Sequence, residues 1–225
     1  MKLSQDIINI LKNFAVINNS IVVSELDHIK TISESGNIIG IYKLDNIEFP
    51  VSFAIFDLRG FLSIISLFKL DEIDFDFKDK YVEIIHNTNK IKYYYSDKSM
   101  IKKFSELKTA EVYRNVNKFT GKCTLTADEI KKIRRASTIM QLDMLSIDIG
   151  GADTLTLICD DESNKDTFNM GVNDTEGSGR VNVNVEYLEL IPNDYDLDVW
   201  SNKCIKFTNT DIELFYLVTA NIAKK

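Results

Sequence analysis

Two rhythms of apolar and polar residues alternate along this chain, and each change of rhythm marks an element. Over residues 4–17, Ile7, Ile8, Leu11, Phe14 and Ala15 recur at helical spacing, Ser4 stands at the N-cap position, and Gln5, Asn9, Lys12 and Asn13 fall on the other face. The period then shortens towards two. Runs rich in β-branched and aromatic residues at 20–24, 29–33, 37–44 and 47–54, separated by Asn, Asp and Gly, predict strands in a meander. The apolar stretch 57–68 predicts a second helix, weakened by Gly60, with a buried strand pair as the alternative. Three further strands are predicted at 73–77, 81–86 and 91–95.

The succession restarts at Leu125. Thr126 followed by Glu129 is a capping box, which starts a helix through residue 142. Ile130, Ile133, Ala136, Ser137 and Met140 are its predicted buried face; Lys131, Arg134 and Arg135 lie opposite, with Lys132 at the border. Leu3, Ser4, Asp6 and Ile8 reappear 122 residues later as Leu125, Thr126, Asp128 and Ile130. Residues 61–65 are echoed by 187–191, 73–77 by 195–199 and 91–95 by 212–216, in the same order. An internal repeat of this kind predicts two copies of one unit. The architecture is therefore α+β: two similar domains, residues 1–97 and 123–225, each with antiparallel sheets and two helices, joined by a linker at 98–122.

Charge follows that division. Lys and Arg against Asp and Glu give −4 over residues 1–97, +5 over 98–122 and −8 over 123–225, together the −7 of the whole chain. A general nucleic-acid coat would be basic throughout; an acidic body tolerates such a partner only where cations are placed for it. The hydrophobic content of 44% is ample for packed cores in 225 residues. Cys123, Cys159 and Cys204 are widely spaced, odd in number and outside any metal-binding pattern, so they are expected to be reduced core residues. Neither a signal-like start nor an apolar run of membrane-spanning length is found, and a soluble, cytoplasmic protein is expected.

Catalytic chemistry is thin. His28 and His86 stand in strand contexts beside no nucleophile motif, and neither phosphate-loop pattern occurs; Gly177-Ser178-Gly179 is a flexible turn. Residues 160–166 are acidic but lack the glycine and glutamate of a calcium loop, and suit a hairpin tip. Asp74, Asp76, Asp196 and Asp198 alternate with apolar residues and share the outer faces of strands. No cofactor or metal is expected, and the chain is not expected to be an enzyme. What remains is the polar face of the two repeat-related helices, with Lys12 on one and Lys131, Lys132, Arg134 and Arg135 on the other. Cations without an aromatic platform among them suit duplex phosphates, not base reading or unstacked strands.

The chain resembles the sliding clamps, or DNA polymerase processivity factors, of T-even-type bacteriophages, which are grouped with proliferating cell nuclear antigen and the bacterial β clamp. The resemblance lies in Met1-Lys2-Leu3-Ser4, Leu11-Lys12-Asn13-Phe14-Ala15, Ile17-Asn18, Ala54-Ile55-Phe56-Asp57-Leu58, Gly60-Phe61-Leu62, Ser66-Leu67, Gln141-Leu142-Asp143 and the segment 194–200. It implies a ring-forming DNA-clamp fold, a homotrimer with helices lining the hole and sheets outside. Duplex DNA would pass through, a clamp-loader ATPase would open the ring, and the polymerase would dock by a C-terminal peptide. Support of late transcription, through late-transcription factors, and action in the infected bacterial cell are implied as well. By the same resemblance, the subunit interface would pair 91–95 with 167–172, bringing Ile91, Tyr93 and Tyr95 against Phe168 and Met170. Glu186 and Glu189, in the predicted second helix of the C-terminal unit, sit where a DNA-facing helix would be basic. Two alternatives stay open: a monomeric phage DNA-binding adaptor that does not encircle DNA, and, more remotely, a hydrolase using the strand aspartates.

Overall fold

Each helix begins at a side chain that the sequence supplies for the purpose. The structure, a computed structural model, describes residues 1–24, 28–44, 49–101, 118–160 and 163–221. Helix α1 (Gln5–Ile17) starts where Ser4 Oγ accepts from the Ile7 amide at 3.2 Å. Strands β1 (Ile21–Val23), β2 (His28–Ile32), β3 (Ile38–Lys43) and β4 (Phe53–Ile55) follow. Helix α2 (Leu58–Ile65) starts where Asp57 Oδ1 accepts from the Gly60 amide at 2.9 Å. Next come β5 (Asp74–Phe77), β6 (Tyr81–His86), β7 (Asn89–Tyr94) and β8 (Gly121–Leu125). In helix α3 (Ala127–Met140) the expected capping box is complete: Thr126 Oγ1 accepts from the Glu129 amide at 3.3 Å, and Glu129 Oε2 accepts from the Thr126 amide at 2.8 Å. Eight strands close the chain: β9 (Met144–Ile149), β10 (Thr154–Ile158), β11 (Phe168–Gly171), β12 (Asn173–Gly177), β13 (Gly179–Asn184), β14 (Tyr195–Trp200), β15 (Cys204–Asn209) and β16 (Leu214–Thr219).

These elements form two units, residues 1–36 with 40–104, and 37–39 with 105–225. In the first, β5, β6 and β7 form an antiparallel sheet in chain order. Of the expected meander at residues 20–54, the consecutive strands β2 and β3 are hydrogen-bonded neighbours, but β1 pairs out of sequence with β4, with Ile21 opposite Ile55 and Val23 opposite Phe53. The fourth expected strand is shifted towards Ala54; residues 45–48 lie outside the described residues. The predicted apolar face of α1 is buried, as are Leu58, Phe61, Leu62 and Ile65 of α2, and Phe14 is fully enclosed. Each such side chain contributes roughly 1.5–3 kcal/mol on leaving water. Phe49, Phe53, Phe77 and Tyr95 extend this core with ring centroids 5.1–5.4 Å apart.

In the second unit, one antiparallel sheet runs β11-β10-β9-β13, and five strands run β12-β8-β14-β15-β16. The chain passes from the second group to the first at Gly177-Ser178-Gly179. This turn is pinned: the Ser178 amide donates to the Thr120 carbonyl at 2.9 Å, and Thr120 Oγ1 donates to the Ser178 carbonyl at 2.6 Å. Gly177 has φ +73°, and a Cβ on it would collide with the Thr120 carbonyl, so glycine is required there. Tyr195 is buried against Phe207 and Tyr216 and donates to the Ile191 carbonyl at 2.7 Å; burial pushes its hydroxyl up to about 12.

Four expectations need correction here. The second helix of the C-terminal unit is a single 3-10 turn, Val185–Tyr187, among the described residues. Leu188 and Leu190 are buried two apart, as in extended chain, and Pro192 disfavours helical geometry at Ile191. Of the face assigned to α3, only Ile130 and Ile133 are buried; Ala136, Ser137 and Met140 are half-buried. Cys123 and Cys204 are core residues, but Cys159 is half-buried just past the end of β10; the expected hairpin tip includes residues 161–162, which lie outside the described residues. In the expected linker, Gly121 and Lys122 belong to β8, and residues 102–117 lie outside the described residues.

Candidate nucleic-acid interface

Helix α3 is held at both ends, which fixes the direction of its cations. At the N-terminus, besides the capping box, the Ala127 amide donates to Asp194 Oδ1 at 2.8 Å, and Asn173 Nδ2 donates to Glu129 Oε1 at 3.2 Å. At the C-terminus Gln141 adopts φ 55° and Ser137 Oγ donates to the Leu142 carbonyl, ending the helix in a tight turn. Lys131, Lys132 and Arg135 are exposed and, among the described residues, form no ion pair. Arg134 differs: its Nη2 forms an ion pair with Glu189 Oε1, each side chain 41% exposed. Lys131, Arg134, Arg135 and Thr138 form one wall of an open groove of about 600 Å³, with Leu190 and Pro192 opposite. The groove thus has an apolar strip beside a helix face that carries three cations and, nearer its start, the carboxylate of Asp128.

Lys12 is exposed on α1 in the first unit, while the other four predicted cations share α3 in the second. Arg59, the single basic residue near the start of α2, is exposed but tied back to α1 of its own unit. Its Nε donates to the Ala15 carbonyl at 3.1 Å and its amide donates to Asn19 Oδ1 at 2.8 Å. Asn19 also donates to Asp57 Oδ1 at 3.0 Å, so one asparagine ties the end of α1 to the start of α2. The Gly60 amide, then Asn19, then the Arg59 charge hold the Asp57 carboxyl below the usual aspartate range.

The strands assigned to the subunit contact are both outermost in their sheets, β7 beyond β6 and β11 beyond β10. Tyr93 rests on Phe61 at 5.0 Å and donates to the Asp57 carbonyl at 3.2 Å; Tyr95 stacks on Phe53 at 5.1 Å. These rings fill their own unit, as strand packing predicts, and Ile91 is half-buried with them. Along β7, Asn89, Lys90, Lys92 and Tyr94 are the exposed side chains. Phe168 and Met170 on β11 are half-buried, opposite Leu157 and Leu155 of β10. Each outer strand therefore offers mainly a backbone edge.

Of the residues weighed for catalysis, His86, Asp76 and Asp198 have structural partners. His86 stacks on Phe68 at 4.7 Å, with Nε2 3.2 Å from Glu72 Oε2. Asp76 pairs with Lys78 at 2.7 Å and Asp198 with Lys206 at 3.8 Å, while Asp74 and Asp196 are exposed. Among the described residues, no three His, Cys, Asp or Glu side chains converge as a metal site would need, and no helix is long and apolar enough to cross a membrane.

The feature that sequence reading missed is the partnership of Arg134 with Glu189. Its only signal was an acid at position 189 in a stretch expected to face the same side as the cations.

No protein-family model matches the chain. It is 27% identical over 231 residues to the sliding clamp of Vibrio phage KVP40, an alignment covering 98% of this chain and all of that one. It is 28% identical to the sliding clamp of Escherichia phage RB69, covering 89% of this chain and 87% of that one. Against the sliding clamp of Enterobacteria phage T4 the identity is 26%, with 89% and 88% covered. The fold matches A. fulgidus PCNA, in a structure with the C-terminal region of FEN-1 bound, at a TM-score of 0.71 and 12% identity over 97% of this chain and 96% of that one. PCNA from Thermococcus kodakaraensis gives 0.69 at 13% identity over 98% of both chains. The chain therefore has the α+β DNA-clamp fold and is a homologue of the sliding clamps of T4-like phages over nearly its whole length.

Proposed function

We propose that this chain is a phage sliding clamp, a non-enzymatic ring that encircles duplex DNA and tethers the replicative polymerase. The observation that carries the reading is the conjunction of near full-length similarity to phage sliding clamps with the clamp fold. Tethering of this kind raises the polymerase's effective concentration at the primer end, so that a modest affinity gives long residence. Residues 1–97 and 123–225 would be the two clamp domains of a subunit, and three subunits would close the ring by pairing the outer edges of β7 and β11. The outermost positions of β7 and β11 in their respective sheets support such a head-to-tail contact. Lys12, Lys131, Lys132 and Arg135 would screen phosphates without reading bases, with Arg134 available when released from Glu189. A clamp-loader ATPase, a polymerase C-terminal peptide and late-transcription factors would be the partners, in the cytoplasm of the infected bacterium.

The test combines light scattering on size-exclusion fractions with loading onto closed circular DNA. A mass near three times 25.8 kDa, with retention that survives high salt on circular DNA and is lost on linearisation, is expected. Direct phosphate binding, in contrast, weakens steeply with salt. A single-chain mass at every concentration, with retention indifferent to DNA ends, overturns the ring in favour of the adaptor.

A further inference from the structure

The Arg134–Glu189 pair carries an inference that rests on α3 facing duplex DNA, as proposed above. Glu189 is placed by its neighbours and not by chance reach: Leu188 and Leu190 on either side of it are buried, and Tyr195 donates to the carbonyl of Ile191 just beyond. The carboxylate is thereby held over the middle of α3. Carboxylate and phosphodiester offer a guanidinium the same thing, a pair of anionic oxygens within reach of its N–H fork. The pair is also open to exchange, because both side chains are two-fifths exposed and an ion pair in water has little net strength. The groove beside it, with Lys131 and Arg135 on the same wall, gives an incoming phosphate direct access to Arg134.

We propose that Glu189 is an internal substitute for a DNA phosphate: it occupies Arg134 when no duplex lies against α3, and a phosphate takes Arg134 only by displacing it. Each contact of Arg134 with DNA then exchanges one anion for another of similar strength. The helix keeps three cations, Lys131, Lys132 and Arg135, that attract duplex at long range, while the fourth is set to engage and release at little net gain. Such an arrangement lowers the grip of the face on any one register along the duplex. Glu189 is in this sense a tuning residue that acts through Arg134.

The experiment measures binding of the full-length protein to a short fluorescent linear duplex by anisotropy across a salt series, where direct phosphate contacts are read without threading. Glu189→Gln is expected to tighten binding several-fold and to steepen the slope of log affinity against log salt by about 0.9, the increment of one added phosphate contact. Glu186→Gln removes the same charge from an exposed neighbour that does not pair with Arg134, and is expected to give a much smaller gain. In an Arg134→Gln background the Glu189→Gln effect is expected to fall to the Glu186→Gln level. If Glu189→Gln does no more than Glu186→Gln, or acts undiminished without Arg134, the substitute role is overturned even where Lys131→Gln and Arg135→Gln weaken binding and so uphold the face. If none of the cation variants changes binding, the DNA-facing reading of α3 itself falls and takes the inference with it.

Discussion

Gly40 lies flat against the ring of Phe14: a Cβ on Gly40 would stand 2.8 Å from Phe14 Cε1 and 3.1 Å from Thr31 Cγ2. The ring is fully enclosed, so it has no direction in which to yield cheaply. Gly40→Ala is expected to lose about 1–3 kcal/mol of stability by overpacking, even though alanine suits a strand better than glycine. Urea unfolding checks this, with a lowered midpoint and an unchanged slope as the expected signature.

The three thiols should differ sharply in reactivity. Burial pushes Cys123 up to about 12 and Cys204 up to about 11, whereas Cys159 is half-buried at a sheet end. Since the thiolate is the reacting species, a thiol reagent at pH 8 should label one cysteine per native chain quickly and the other two only in denaturant. Peptide mapping should assign the fast site to Cys159. These raised values also weaken the fold in alkali: the unfolded thiols ionise from about 8.5 upward, while the folded ones hold their protons, so their contribution is complete below that pH and declines towards 11–12.

At the acid end, Asp57 is the group to watch. Its carboxyl is held below the ordinary aspartate value of about 3.9 by the Gly60 amide, Asn19 and Arg59. A lowered folded value means that the charged form is favoured by folding. Its stabilisation is therefore present above the unfolded value and is lost as pH falls through the folded one. Asp57→Asn should be destabilising near neutrality and should flatten the acid limb of a stability-against-pH curve, with little difference from wild type once the Asp57 carboxyl of the wild type is protonated in both the folded and the unfolded state.

For the face as a whole, replacing Lys131, Lys132 and Arg135 together by glutamine should reduce the salt slope of duplex binding by up to about 0.9 per lost contact. Thermal stability should change little, because all three side chains are exposed and, among the described residues, form no ion pair. Equal losses in binding and stability would place these cations in the structure of the unit and not on a DNA-facing surface.

Much of this was written locally. Ser4, Asp57 and Thr126 each stand where a helix begins, and the periods of 3.6 and 2 separate helices from strands on either side of them. The pairing of β1 with β4 was not legible, because strand runs carry their face but not their partner, and these two are joined across some thirty residues. The stretch 185–191 misled because Val185, Leu188 and Leu190 fit part of a helical stripe; Pro192 decides against it. On α3 the cations were legible from spacing, but the state of Arg134 was not, since its partner is 55 residues away and sits on no recognisable motif.

The pinned turn at Gly177-Ser178-Gly179 has a mechanical meaning. Thr120, which holds it, is also the residue through which the chain enters β8, and β8 is an interior strand with β12 on one side and β14 on the other. A pull delivered through the preceding segment would load two hydrogen-bonded ladders and the corner at once. Freeing β8 requires both ladders to be broken, whereas an outer strand has only one to lose. The second unit is thus reinforced at the point where tension along the chain would reach it first.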